Sequence, residues 1–184
     1  MAKGIAYSIE AARNMIELWT DWTDTMGLSE RGSATMPKSL QTKTLLIAYA
    51  SVSGNTKEVA ELIAQELTHK QQDVTLYCVT GNEPFPHVPD YDAMLIGTYT
   101  WGSGDTPFDV KDFVADVGYK PENVFVFGTG DTQFGGDDMF CMAADKLAKF
   151  YHSPLAPLKI EQSPRGSQEE EVLEWTRGVL ECLN

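Results

Sequence analysis

The sequence predicts an α/β domain, a parallel five-stranded sheet covered by helices on both faces, preceded by a separate amphipathic segment. Three observations carry this. The first is that from Lys43 onward short apolar runs alternate with stretches whose apolar residues recur every three or four positions, and such alternation implies strands joined by crossover helices. The second is that parallel neighbours need those crossovers, and the connections here are long enough to supply them. The third is size: 184 residues with 42% hydrophobic content suffice for one sizeable core and an appendage, and two full domains would be a stretch.

The appendage comes first. "SIEAARNMIELWTDWTDTMG" spaces Ile9, Ala12, Met15, Ile16, Trp19, Trp22 and Met26 along one face of a helix over 8–26, with Glu10, Arg13, Asn14, Glu17, Asp21 and Asp24 opposite. Ser8 suits the N-cap and Gly27 the stop. "LSERGSATMPKSLQTKT" is polar and aperiodic, a linker. The expected division is therefore 1–35 for helix and linker and 36–184 for the main domain. Met36 after "GSAT" allows either an engineered fusion or a native extension. "TLLIAYA" then reads as a strand, "NTKEVAELIAQELTHK" as a helix presenting Val59, Leu62, Ile63 and Leu67, and "DVTLYCV" as a second strand. After a Pro-rich turn, "DAMLIGTYT" is a buried strand, "PFDVKDFVADV" a helix and "NVFVFGTG" a strand. "DMFCMAADKLAKFYH" is a helix, "LAPLKI" the last strand and "QEEEVLEWTRGVLECL" the closing helix.

Composition narrows the function. A formal charge of −13 argues against nucleic acid and suits basic protein partners. Cys78, Cys141 and Cys182 lack metal-type spacing and are odd in number, so a reducing cytoplasm fits best, and Cys141 reads as core. His69, His87 and His152 are scattered, so no metal is expected. No apolar run approaches the roughly 18 residues of a membrane span.

In open parallel sheets ligands gather at the carboxyl ends of strands where strand order reverses, so the informative loops follow Tyr49, Thr100 and Phe127. "SVSGNT" ends a strand and opens a helix, where unpaired N–H groups and the helix dipole favour an anion. Ser51, Ser53 and Thr56 add hydroxyls, Gly54 a tight turn, and Asn55 a cap or a further donor. There is no Walker or dinucleotide spacing, so a phosphate monoester is the better expectation; the plainer reading is a loop of capping and turn residues. "TYTWGSGDTP" sets Trp101 beside Gly102 and Gly104, offering a flat apolar face to a planar ligand, or a tryptophan packed over the sheet edge. "GTGDTQFGGDDMFC" supplies glycines and Phe134, either for the same ligand or as a surface turn.

Together "SVSGNT", "GTYTWGSGD" and "GTGDTQF...FC" resemble the flavodoxin family over about 43–184, and the direct passage through "LAPLKIE" is similar to its short-chain members. The resemblance implies a doubly wound sheet of strand order 2-1-3-4-5 and non-covalent FMN. Ser51, Val52, Ser53, Gly54, Asn55 and Thr56 would hold the phosphate. Thr98, Tyr99, Thr100 and Gly102, with Thr129, Gly130 and Asp131, would contact the ring, with Trp101 on one face and Phe134 on the other. Many relatives carry Tyr at Phe134, and the longer "GGDD" segment leaves Phe140 as the other candidate. The implied activity is a low-potential electron carrier between a reductase and acceptor proteins with basic docking faces, without catalytic residues of its own, since redox chemistry belongs to the flavin. Asp105, Asp131, Asp137 and Asp138 would make the fully reduced anion costly. The alternatives are an activating flavoprotein for ribonucleotide reductase, a quinone or nitro reductase, and a flavodoxin carried as cargo by a helix 8–26 that binds a protein or scaffold.

Overall fold

The structure, a computed structural model, describes residues 42–133, 136 and 138–184. The expected helix 8–26 and its linker lie outside the described residues, as do Phe134 and Asp137. Five strands run β1 Thr44–Tyr49, β2 Asp73–Cys78, β3 Ala93–Tyr99, β4 Val124–Gly130 and β5 Leu158–Glu161. Between and after them come α1 Asn55–His69, α2 Phe108–Val117, α3 Met142–Tyr151 and α4 Ser167–Cys182, with a short 3-10 turn at Val88–Asp90. The sheet order is β2-β1-β3-β4-β5, every pair parallel, which is the order expected.

Side chains alternate across each strand, and the two sets feed two cores. Leu45, Ile47 and Tyr49 of β1 join Leu95, Phe125 and Phe127 under α1, through Val59, Ile63 and Leu67, and under α4, through Val172 and Val179. Leu46 and Ala48 join Met94, Ile96, Val124 and Val126 under α2, through Val110 and Phe113, and under α3, through Leu147. Each fully buried aliphatic or Phe side chain contributes about 1.5–3 kcal/mol. β2 is an edge strand: Tyr77 is its one buried side chain, in the second core, Val74 and Cys78 pack half-buried against the first, and Leu76 is exposed.

Register brings three strand ends level. Tyr49 pairs with Gly97, Gly97 with Phe127, and Tyr99 with Thr129. Gly97 is where neighbouring strands press closest: a Cβ there would lie 2.4 Å from Phe127 Cζ of β4 and 2.9 Å from Tyr49 Cβ of β1.

Two elements are shorter than the apolar pattern suggests. α3 begins at Met142 because Cys141 takes φ +52°, a left-handed conformation that interrupts the helix, and 138–140 form a turn. β5 begins at Leu158 because Pro157, just before it, has no N–H for the ladder.

Candidate functional site

The level ends of β1, β3 and β4 open into a cleft of about 630 Å³. Val52, Ser53, Asn55 and Thr56 line it from the first loop, and Tyr99, Thr100, Trp101 and Gly102 from the second. Thr129, Gly130 and Asp131, then Met139, Phe140 and Cys141, supply the third side, and Gln162 after β5 closes it.

In the first loop Gly54 takes φ +96°, a conformation that glycine adopts without steric cost, and its carbonyl accepts the first helical bond from Glu58 N–H at 2.9 Å. Ser51 Oγ accepts from Gly54 N–H at 3.1 Å, so this hydroxyl secures the turn and Ser51 does not line the cleft. No side chain caps α1. Asn55 instead accepts from Ser163 Oγ at 2.9 Å, tying the loop to the segment after β5. Glu58 and Arg165 reinforce that tie at 3.0 Å, and hydrogen bonds from Ser163 and Arg165 hold the Glu58 carboxyl below the usual carboxylate range. Thr56 is buried, its hydroxyl 2.8 Å from that of Thr129, which joins the first loop to the tip of β4. The first-turn N–H groups of α1 have no intrahelical partner and carry the positive end of the helix dipole into the cleft.

The second loop is a tight hairpin. Trp101 and Asp105 exchange backbone hydrogen bonds of 2.8 Å in both directions. Gly104 takes φ +94°, a conformation that favours glycine, and a Cβ there would also have to displace the flexible end of Met142, 2.5 Å away. Lys146 Nζ donates to Gly104 O at 2.7 Å, and Thr100 Oγ1 accepts from Ala143 N–H at 3.3 Å. Thr98 is buried, donates to Tyr99 O at 3.0 Å and stays out of the cleft wall. On this hydrogen-bonded base Trp101 is 59% exposed, edge-on to Tyr99 at 6.2 Å, so an indole face is left open.

The third loop is clamped by β5. Gly130 O accepts from Gln162 N–H at 2.7 Å, and Thr132 donates through N–H and Oγ1 to Glu161 Oε1 at 2.9 and 3.2 Å. Burial pushes the Cys141 thiol up to about 12, so it is protonated and inert, in keeping with a core role even though it forms part of the cleft floor.

Of the residues singled out by sequence, eleven line the cleft. Ser51, Gly54 and Thr98 stand behind it in supporting roles. Phe134 lies outside the described residues, and the other aromatic candidate, Phe140, is on the wall. Sequence reasoning missed Met139, an unbranched apolar side chain inside the third loop that nothing in the pattern marks as a contact, and Gln162, which lies outside the three loops. β5 neighbours β4 in this strand order, so the loop after Glu161 also had to be inspected. Among the described residues there is no cluster of ligands that could hold a metal ion, and no helix is long and apolar enough to cross a membrane.

The Flavodoxin family model matches residues 47–175. "Probable flavodoxin 2" of Bacillus subtilis is 36% identical over 141 residues, 72% of this chain and 91% of the relative. The crystal structure of oxidised flavodoxin 1 from Bacillus cereus superposes with a TM-score of 0.68 at 27% identity, covering 77% of this chain and 99% of that one. More distantly, protein NrdI of Deinococcus radiodurans is 28% identical over 71% of this chain and 82% of its own length. Family match and strand order agree: the chain belongs to the flavodoxin family of FMN-binding electron-transfer proteins.

Proposed function

We propose that the cleft is the FMN site of a low-potential one-electron carrier that moves charge between a reductase and acceptor proteins. The observation that carries this reading is the juxtaposition of a helix N-terminus with an open indole face across one cleft. The residues fit the cofactor: its volume lies within the range of cofactor pockets, the α1 amides with Ser53 and Thr56 suit a phosphate, and Trp101 suits a planar ring. FMN supplies the electron chemistry when bound. The protein holds the phosphate, covers the ring and keeps charge nearby. Thr56, through its bond to Thr129, fixes the phosphate end relative to the ring end. Phe134 remains the expected cover for the second face, with Phe140, on the cleft wall, as the alternative.

Partners of basic surface fit the mouth of the cleft. Val52, Trp101 and Phe108 are exposed by 74%, 59% and 76%, giving an apolar contact area. Asp109 beside them, and Asp138 next to Met139 of the cleft wall, add negative charge that steers a basic protein and makes the on-rate fall with salt. The likeness to NrdI supports an activating flavoprotein as the second reading, against which stands the Trp101–Gly102 loop. Potentiometric titration of the FMN-loaded chain tests the proposal. Two separated one-electron couples, the second more negative than in free FMN, are expected; one two-electron wave with turnover of NAD(P)H would instead mark a reductase.

A further inference from the structure

Four non-glycine residues among those described have left-handed backbone: Gln71, Cys141, His152 and Gln162. Gln71 and His152 follow helix C-termini, where this conformation is usual. Cys141 precedes α3. Gln162, at φ +55°, stands at the end of a strand and on the cleft wall. A strained residue at a functional site persists when its surroundings fix it on several sides, and Gln162 is fixed twice. Its N–H donates to Gly130 O at 2.7 Å, and its Nε2 donates to Asp131 Oδ2 at 3.0 Å.

We infer that Gln162 is a positioning residue: its amide pins the Asp131 carboxylate as a fixed, uncompensated negative charge on the cleft wall, and so governs how readily the bound cofactor accepts its second electron. This rests on the FMN reading above. Asp131 Oδ1 is occupied as well, by Gln133 N–H at 2.8 Å, so both oxygens are held by neutral donors. The adjacent carboxylate, Glu161, is likewise held by the neutral donors of Thr132. Among the described residues no Lys, Arg or His forms an ion pair with either acid, and Lys159 of the same strand is engaged with Asp145 at 2.6 Å. An amide donor is the chemistry that orders a carboxylate without cancelling its charge; a lysine would order and neutralise it. Full reduction adds an electron and one negative charge to the cofactor, supplied by the reductant, and a like charge held in place on the wall opposes it.

The test uses the full chain loaded with FMN, titrated potentiometrically with dithionite as reductant, and reads the ratio of dissociation constants for fully reduced and one-electron-reduced FMN. Gln162→Gly suits the left-handed backbone and removes the side chain with its amide. It is expected to lower that ratio about three- to tenfold, as the freed carboxylate turns to water, while thermal stability is kept or rises. Gln162→Lys is expected to lower it at least as far, and Asp131→Asn furthest. In the Asp131→Asn background, Gln162→Gly should add nothing, the signature of one residue acting through the other. An unchanged ratio in Gln162→Gly with oxidised FMN still bound, or the same effect with Asp131 removed, overturns the inference alone. A wild-type chain that binds no oxidised FMN overturns both readings.

Discussion

Asp92 shows how much one side chain can organise in this fold. Its carboxylate accepts from Thr44 N–H at 2.8 Å and from Thr44 Oγ1 at 3.0 Å, and its carbonyl accepts from Asn123 Nδ2 at 3.0 Å. The starts of β1, β3 and β4 are thereby fastened together. The Thr44 N–H bond, above all, holds the Asp92 carboxyl below the ordinary aspartate range, with partial burial acting the other way. A depressed native value means that this stabilisation is full above the unfolded-state value, about 4, and is lost as pH falls through the native value below it. Asp92→Asn is expected to cost about 1 kcal/mol at pH 7, the low end for a charge-assisted bond because the site is exposed. The difference from wild type should shrink in urea titrations below pH 4; a constant difference down to pH 2 would refute this role. At this scale the sequence was least informative. Residue type placed hydroxyls and glycines in the right loops, yet whether Ser51 faces a ligand or serves its own turn depends on a 3.1 Å bond that no spacing rule specifies. Gln162 carried no signal at all, since nothing in "IEQSP" marks it as left-handed.

At the scale of elements the reading was strongest, because hydrophobic period and length report local structure directly. All five strands and the four helices among the described residues sit where the apolar pattern predicted them. The misjudged boundaries have local causes, the left-handed Cys141 and the missing N–H of Pro157. Gly97 is the tightest joint between elements, because Phe127 of β4 fills the volume a side chain would take. Gly97→Ala is therefore expected to destabilise the domain by about 1–3 kcal/mol through overpacking. It should also weaken FMN binding, since β1, β3 and β4 would no longer end level. Thermal melts of the variant with and without FMN check this, and an unchanged midpoint would show that the Phe127 ring yields without cost.

For the whole molecule, the decisive fact is topological. Strand order 2-1-3-4-5 reverses between β1 and β3, and the cleft lies at that reversal. The family's motifs could be recognised in the sequence because backbone amides at a strand-to-helix turn and an aromatic beside glycines leave a compositional trace. The fourth side of the cleft could not, because it is made by register and proximity across β4 and β5. The formal net charge of −13 belongs to this scale too, and it favours partners of opposite sign. The central claim, that one cleft holds FMN between the α1 amides and Trp101, is tested most directly by titrating the colourless full chain with oxidised FMN while following tryptophan emission. The account predicts saturation at one FMN per chain with quenching that is largely lost in Trp101→Phe. A chain that stays colourless in excess FMN, with emission unchanged, would contradict it.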